Sequence, residues 1–138
     1  MTAGDFVLET TASPDSLDEV HALFARLWAA ADDVQLRDRI AFETAVSEVA
    51  ANIVEHAARG EAVAMRLVLR APDDRVEANL EDLGYPYEAP AGRPPAADPM
   101  AEHGRGLMIA RALTDELVYE RDGGVNRWFL LRRRHPEI

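Results

Sequence analysis

Glu48 and Asn52 stand one helical turn apart in the run Glu48-Val49-Ala50-Ala51-Asn52-Ile53-Val54-Glu55-His56, a spacing that stacks two side chains on neighbouring parts of one helix face. At about 100° per residue, Phe42, Val46, Val49 and Ile53 form a narrow apolar stripe, with Asn52 roughly 90° and Glu48 roughly 130° from its centre. Both polar groups are therefore expected at the border of the core. Ala41 and Ala45 lie between them on that face, and their small side chains would let a ligand reach the carboxylate and the amide together. A Mg²⁺ ion wants hard oxygen ligands and keeps waters and substrate phosphates, so an Asn carbonyl oxygen suits it. A carboxylate one turn away can orient or deprotonate a hydroxyl. Taken alone, the pair is also what a solvated helix flank looks like.

Two further clusters carry chemistry. In Glu81-Asp82-Leu83-Gly84, a carboxylate at a strand end can accept a hydrogen bond from an exocyclic amino group, and Gly84 would let the backbone approach a flat ring. The ordinary reading of that fragment is a strand-terminating turn. In His103-Gly104-Arg105-Gly106-Leu107, two glycines, the free N–H groups of a helix start and a fixed guanidinium could receive an anion. A short glycine pattern is weak by itself.

These clusters need elements to hold them. Phe6 to Thr11 reads as a strand, followed by the helix-start signal Ser13-Pro14-Asp15. Leu17, Val20, Leu23, Phe24, Leu27 and Trp28 recur at helical intervals up to about Ala31. A longer helix is expected from about Leu36 to Ala58, ended by Arg59-Gly60. Ala62 to Leu69 and Arg75 to Leu80 alternate as a hairpin around Ala71-Pro72-Asp73-Asp74. From Gly84 to His103 the chain is dense in Pro, Ala and Gly, and a stretch of that kind is more often a functional lid than filler. A helix follows from near Gly104 to about Asp115. Leu117 to Arg121 and Arg127 to Arg132 close the chain as a hairpin around Asp122-Gly123-Gly124-Val125-Asn126. The order of elements implies an α+β fold, a two-layer sandwich whose mixed, mostly antiparallel sheet is covered on one face by helices.

Composition limits what such a fold could do. The chain has 138 residues, 48% of them hydrophobic, enough for one core without staples and too few for a multidomain enzyme. A single domain over residues 1–138, with its lid at about 85–103, is the expected organisation. Acidic residues number 25 against 15 basic ones, every basic residue is Arg, and the net charge is -10. That excess repels a phosphate backbone, so direct nucleic-acid binding is disfavoured. Cysteine is absent, which removes disulfides, thiolate metal sites and cysteine nucleophiles and suits a reducing cytoplasm. No stretch approaches the roughly 18 uninterrupted apolar residues of a membrane span. The basic run Arg132-Arg133-Arg134-His135 reads as a solvated strand end, His21 as an ordinary helix-surface histidine, and Trp28 and Trp128 as packing residues.

Taken in order, the Glu-x-x-x-Asn on a long helix, Asp-x-Gly at a strand end, a Pro-rich lid and Gly-x-Gly at a helix start resemble the N, G1 and G2 boxes of the GHKL ATPase superfamily. The resemblance covers about Phe6 to Leu131. The stretches from Ala45 to Ala57 and from Gly104 to Ala110 look most like bacterial anti-sigma-factor serine kinases of the RsbW type. The resemblance implies that ATP and Mg²⁺ are the cofactors and that Asn52 holds the metal. It makes Glu48 the general base or water-positioning group and gives the adenine amino group to Asp82, with Gly84 beside it. Gly104, Arg105, Gly106 and Leu107 would cradle the phosphates. It further implies a cytoplasmic homodimer that binds a sigma factor and phosphorylates a Ser or Thr of an antagonist, anti-anti-sigma protein. Tyr85-Pro86 follows Gly84 where many relatives have a further Gly or a small residue, and His103 stands where Gly is common. A sensor histidine kinase shares the boxes but needs a phospho-accepting His on a dimerisation helix, for which 138 residues leave no room. The alternative from another class is a non-catalytic module that uses nucleotide, or none, to shape a protein-binding face.

Overall fold

A computed structural model describes residues 4–88 and 102–136, with the side chains of residues 102–104 excepted. Most of the expected lid, residues 89–101, and the side chain of His103 lie outside the described residues. Five strands form one sheet: β1 (Phe6–Thr11), β2 (Ala64–Arg70), β3 (Arg75–Asp82), β4 (Glu116–Asp122) and β5 (Val125–Arg133). Their order is β1-β2-β3-β5-β4, and every pairing is antiparallel. The sheet is thus simpler than the mixed one expected. Helices α1 (Ser16–Ala30), α2 (Leu36–Asn52) and α3 (Glu102–Ala112) supply the second layer.

Alternation along β3 turns Val76, Ala78 and Leu80 inward, and Asp82 is the last residue of that inward series. Their apolar row meets Val20, Phe24 and Leu27 of α1 and Phe42, Val46 and Val49 of α2 in one core. Ala41 and Ala45 are buried as well, and Ala45 shares this core with Leu107 and Ala110 of α3. The small side chains therefore admit a neighbouring helix, where an opening for a ligand was expected.

The long helix does not run α-helical to its end. From Ile53–Ala58 it widens into a π-helical turn, a rare geometry that tends to occur at functional sites. Arg59, at φ 50°, and Gly60, at φ 79°, then reverse the chain. The Ala57 carbonyl, one of the acceptors a helix end leaves unsatisfied, takes a hydrogen bond from Tyr85 N–H at 2.9 Å.

The last hairpin turns on Gly123 and Gly124, both at positive φ, with Asp122 paired to Val125. The turn is thus shorter than the five residues expected, and Val125 and Asn126 belong to β5. The basic run that ends β5 is only partly solvated: Arg133 is exposed, but its neighbours are held. Arg132 Nε donates to Asp38 at 3.0 Å, His135 N–H and Nδ1 meet the same carboxylate at 2.8 and 2.7 Å, and Arg134 pairs with Asp33. Asp38 is fully buried, so this carboxylate, placed in the first turn of α2, draws the positive groups inward. No helix among the described residues is long and apolar enough to cross a membrane.

Candidate functional site

Asp82 ends β3 with 1% of its surface exposed. Its Oδ1 accepts from the Gly84 N–H at 2.9 Å and from Asn126 Nδ2 at 2.8 Å. Its Oδ2 is buried and has no hydrogen-bond partner among the described residues. Burial pushes the Asp82 carboxyl above its ordinary value, and the bonds from Asn126 and Gly84 and the nearby Arg121 charge offset this only in part. A buried acceptor without a donor is costly, so the geometry suits a ligand N–H at that oxygen.

Asn126, directly opposite Asp82 in the β3–β5 register, was hidden from sequence reading because Gly123-Gly124 drew it into the expected turn. It too is 1% exposed. Its Oδ1 accepts from Arg121 Nη1 at 2.9 Å and from the Tyr119 hydroxyl. Strand alternation could have revealed it, since Asn126, Trp128 and Leu130 form the inward row of β5.

Asn52 and His56, four residues apart across the start of the π-helical turn, line one cavity with Asp82, Tyr87, Asn126 and Trp128. Its volume is about 10 Å³, room for roughly one water. The chain itself closes it. Tyr87 packs on Tyr119 and Trp128 with ring centroids 5.5 and 5.3 Å away, and its N–H donates to the Tyr119 hydroxyl at 3.0 Å. Tyr85 is held by the Arg59 guanidinium, 4.1 Å above its ring, and by Glu61 at 3.2 Å.

Gly84 has a structural role within the chain. A Cβ there would lie 2.4 Å from the Ala57 carbonyl oxygen, so the glycine lets strand end and helix end touch. Gly106 is similar: a Cβ would lie 2.6 Å from Glu48 Oε2. The carboxylate of Glu48 thus rests against α3 at the second glycine of the Gly-x-Gly pair. Helix α3 already includes Gly104 and Gly106, so the pair lies within the helix and not in a loop before it. Leu107 turns its side chain into the core, and Arg105 is exposed. Glu48 and Asn52 are both half-buried at the core border, as their helical angles imply. On its other side Glu48 borders a groove of about 450 Å³ between α1 and α2, which opens past Ser47 and Thr44 to the exposed Ile40 and Leu36. His21 lies on that groove, paired with Glu43 at 2.7 Å. Trp28, also on the groove, donates to Glu43 at 3.0 Å.

The candidate site therefore runs from the end of β3 along α2: a buried carboxylate oxygen without a donor at Asp82, the amide of Asn52, then the Glu48 carboxylate against α3. The sequence matches the histidine kinase-like ATPase domain over residues 10–128. The chain belongs to that family. No curated protein matches it. Among solved structures, it resembles the RsbU and RsbW domains of Rv1364c from Mycobacterium tuberculosis, with TM-score 0.69 and 20% identity over 97% of this chain and 34% of that one. It also resembles the histidine kinase domain of the blue-light activated histidine kinase EL346 from Erythrobacter litoralis, with TM-score 0.56 and 19% identity over 82% of this chain and 60% of that one. The chain thus spans about a third of the first of these proteins and 60% of the second. At these identities the likeness concerns the fold. The family makes the chain an ATP-binding module of the GHKL type, as its boxes implied. Among the described residues no cluster of three or more His, Cys, Asp or Glu side chains could hold a metal unaided.

Proposed function

We propose that this chain is a Ser/Thr protein kinase of the anti-sigma, partner-switching kind, a single domain whose lid spans about residues 85–103. The observation that carries the reading is the pairing of Asp82 Oδ2, a buried acceptor without a donor, with a Glu48 carboxylate placed one helical turn from Asn52. Asp82 receives the adenine amino group. Asn52 offers its oxygen to Mg²⁺, and Gly104, Arg105, Gly106 and the Leu107 backbone face the phosphates. Bound Mg-ATP supplies the transferable phosphoryl group and neutralises its charge. Glu48 takes the proton of the acceptor hydroxyl, which the groove between α1 and α2 can bring to it. The substrate is an antagonist protein and the second partner a sigma factor, bound by a cytoplasmic homodimer. The RsbW domain of the mycobacterial neighbour supports this choice among kinase types.

Incubation with labelled ATP and candidate antagonist proteins tests the reading. A labelled Ser or Thr that disappears with Glu48→Gln, while ATP binding persists, is the expected result. Transfer at the wild-type rate by Glu48→Gln refutes the base assignment. A second reading, a non-catalytic binding module, draws on the cavity of about 10 Å³, already closed by Tyr85 to Tyr87. It predicts a stable antagonist complex with no label.

A further inference from the structure

We infer that Asn126 is a positioning residue for base selection: it fixes the orientation of the Asp82 carboxylate, so that one oxygen is presented to the purine without a donor, and so sets the preference for a 6-amino over a 6-oxo base. The inference rests on the proposed nucleotide role of Asp82 and extends it to a residue that the boxes do not contain.

The hydrogen bonds of Asn126 sort by kind. Its Nδ2 faces only acceptors, Asp82 Oδ1 at 2.8 Å, the Tyr85 carbonyl at 2.8 Å and the Gly84 carbonyl at 3.3 Å. Its Oδ1 faces Arg121 Nη1 at 2.9 Å and the Tyr119 hydroxyl. A guanidinium can only donate. Rotating the amide by half a turn would set N–H against guanidinium and carbonyl against carboxylate, so Arg121 locks the orientation. The lock extends to Asp82. With Oδ1 holding both Asn126 Nδ2 and the Gly84 N–H, tilting the carboxylate plane would break both bonds and a half turn only exchanges equivalent oxygens, so one oxygen, Oδ2 here, is always left for a ligand. A 6-amino group donates to that oxygen. A 6-oxo group opposes it with lone pairs in a site too buried for water to screen them. The same amide ties the Gly84 and Tyr85 carbonyls, which form the closing wall, to the acceptor beneath them.

The test is calorimetric binding of ADP and IDP to the full chain, as wild type, Asn126→Ala and Arg121→Leu. The wild type is expected to prefer ADP by about 100-fold or more, since a site built around one hydrogen bond rejects an analogue that cannot make it. In Asn126→Ala, ADP affinity should fall about 10- to 100-fold, the loss of one bond to a charged group, while IDP affinity barely changes. Arg121 is exposed, so Arg121→Leu keeps the fold and should narrow the preference in the same direction by a smaller factor. Equal losses for ADP and IDP would reduce Asn126 to a structural residue and overturn the inference, as would a preference that survives both substitutions. A wild type that binds ADP and IDP equally also overturns it. A wild type that binds neither refutes the nucleotide reading itself.

Discussion

Gly84→Ala puts the contact between strand end and helix end under direct test. The new Cβ would meet Ala57 O at 2.4 Å, Ala57 C at 2.7 Å and Ala57 Cβ at 2.9 Å. Two of these atoms are backbone, so no side-chain rotation relieves the clash. Ordinary contact requires a retreat of about 0.5–1 Å, and overpacking of that kind costs about 1–3 kcal/mol. The retreat also stretches the Tyr85 N–H to Ala57 O bond of 2.9 Å, worth about 1 kcal/mol. The total is about 2–4 kcal/mol. For a domain of this size each kcal/mol lowers Tm by roughly 3–5 °C, so the variant should melt about 6–20 °C below wild type. Thermal denaturation followed by circular dichroism reads this. Gly4→Ala is the control, because a Cβ at Gly4 meets nothing within 4 Å and should leave Tm unchanged. A Gly84→Ala variant melting within about 1 °C of wild type would show that the strand end yields freely, and the close approach would lose its structural meaning.

Gly106→Ala should behave oppositely in stability. The clash is with the mobile end of Glu48, and exchanging Gly for Ala inside a helix favours folding by about 0.5–1 kcal/mol. Urea denaturation should show a variant at least as stable as wild type, while phosphoryl transfer falls because the carboxylate is displaced. Asn52→Ala should abolish the Mg²⁺-dependent part of the ATP-induced rise in Tm; an unchanged rise would remove Asn52 from the metal site. Two carboxylates predict opposite pH slopes. At Asp38 burial opposes ionisation, but the His135 backbone and side chain and Arg132 prevail and hold its carboxyl below the ordinary value. Its contribution is therefore present above the unfolded value of about 4 and lost as pH falls through the lower folded one. At Asp82 the folded value is raised, so its contribution is greatest below about pH 4 and is lost as pH rises through that folded value. Urea titrations across pH should therefore lose their acid-limb slope below pH 4 in Asp38→Asn and their slope above pH 4 in Asp82→Asn.

The order of elements was legible because each run has one period, as in Val20, Phe24 and Leu27 for a helix and Val76, Ala78 and Leu80 for a strand. The family was legible from the order of the three boxes along the chain, since each fragment alone has an ordinary reading. The π-helical turn was not, since widening the helix by one residue per turn leaves the side-chain types of Ile53 to Ala58 unchanged. Asn126 was obscured by local turn chemistry, and only its pairing with Asp82 across strands shows its part. The closing basic run was misjudged for a similar reason. Arginines look solvated in a sequence, but the buried Asp38, 94 residues away from Arg132, takes Arg132 as a partner, together with His135. Gly84 was identified as a place of close approach, and within the chain the neighbour it admits is Ala57.

The cavity of about 10 Å³ beneath Tyr85 to Tyr87 has a kinetic consequence. On the proposed nucleotide reading, a purine is many times larger and cannot enter by collision alone. The packed Tyr87, Tyr119 and Trp128 rings then have to part first, and the Tyr85 carbonyl has to leave Asn126. The rate of association is then capped by how often this wall opens, and the observed rate levels off as nucleotide concentration rises. On that reading residence time follows the same opening, and both loading and emptying are expected to be slow.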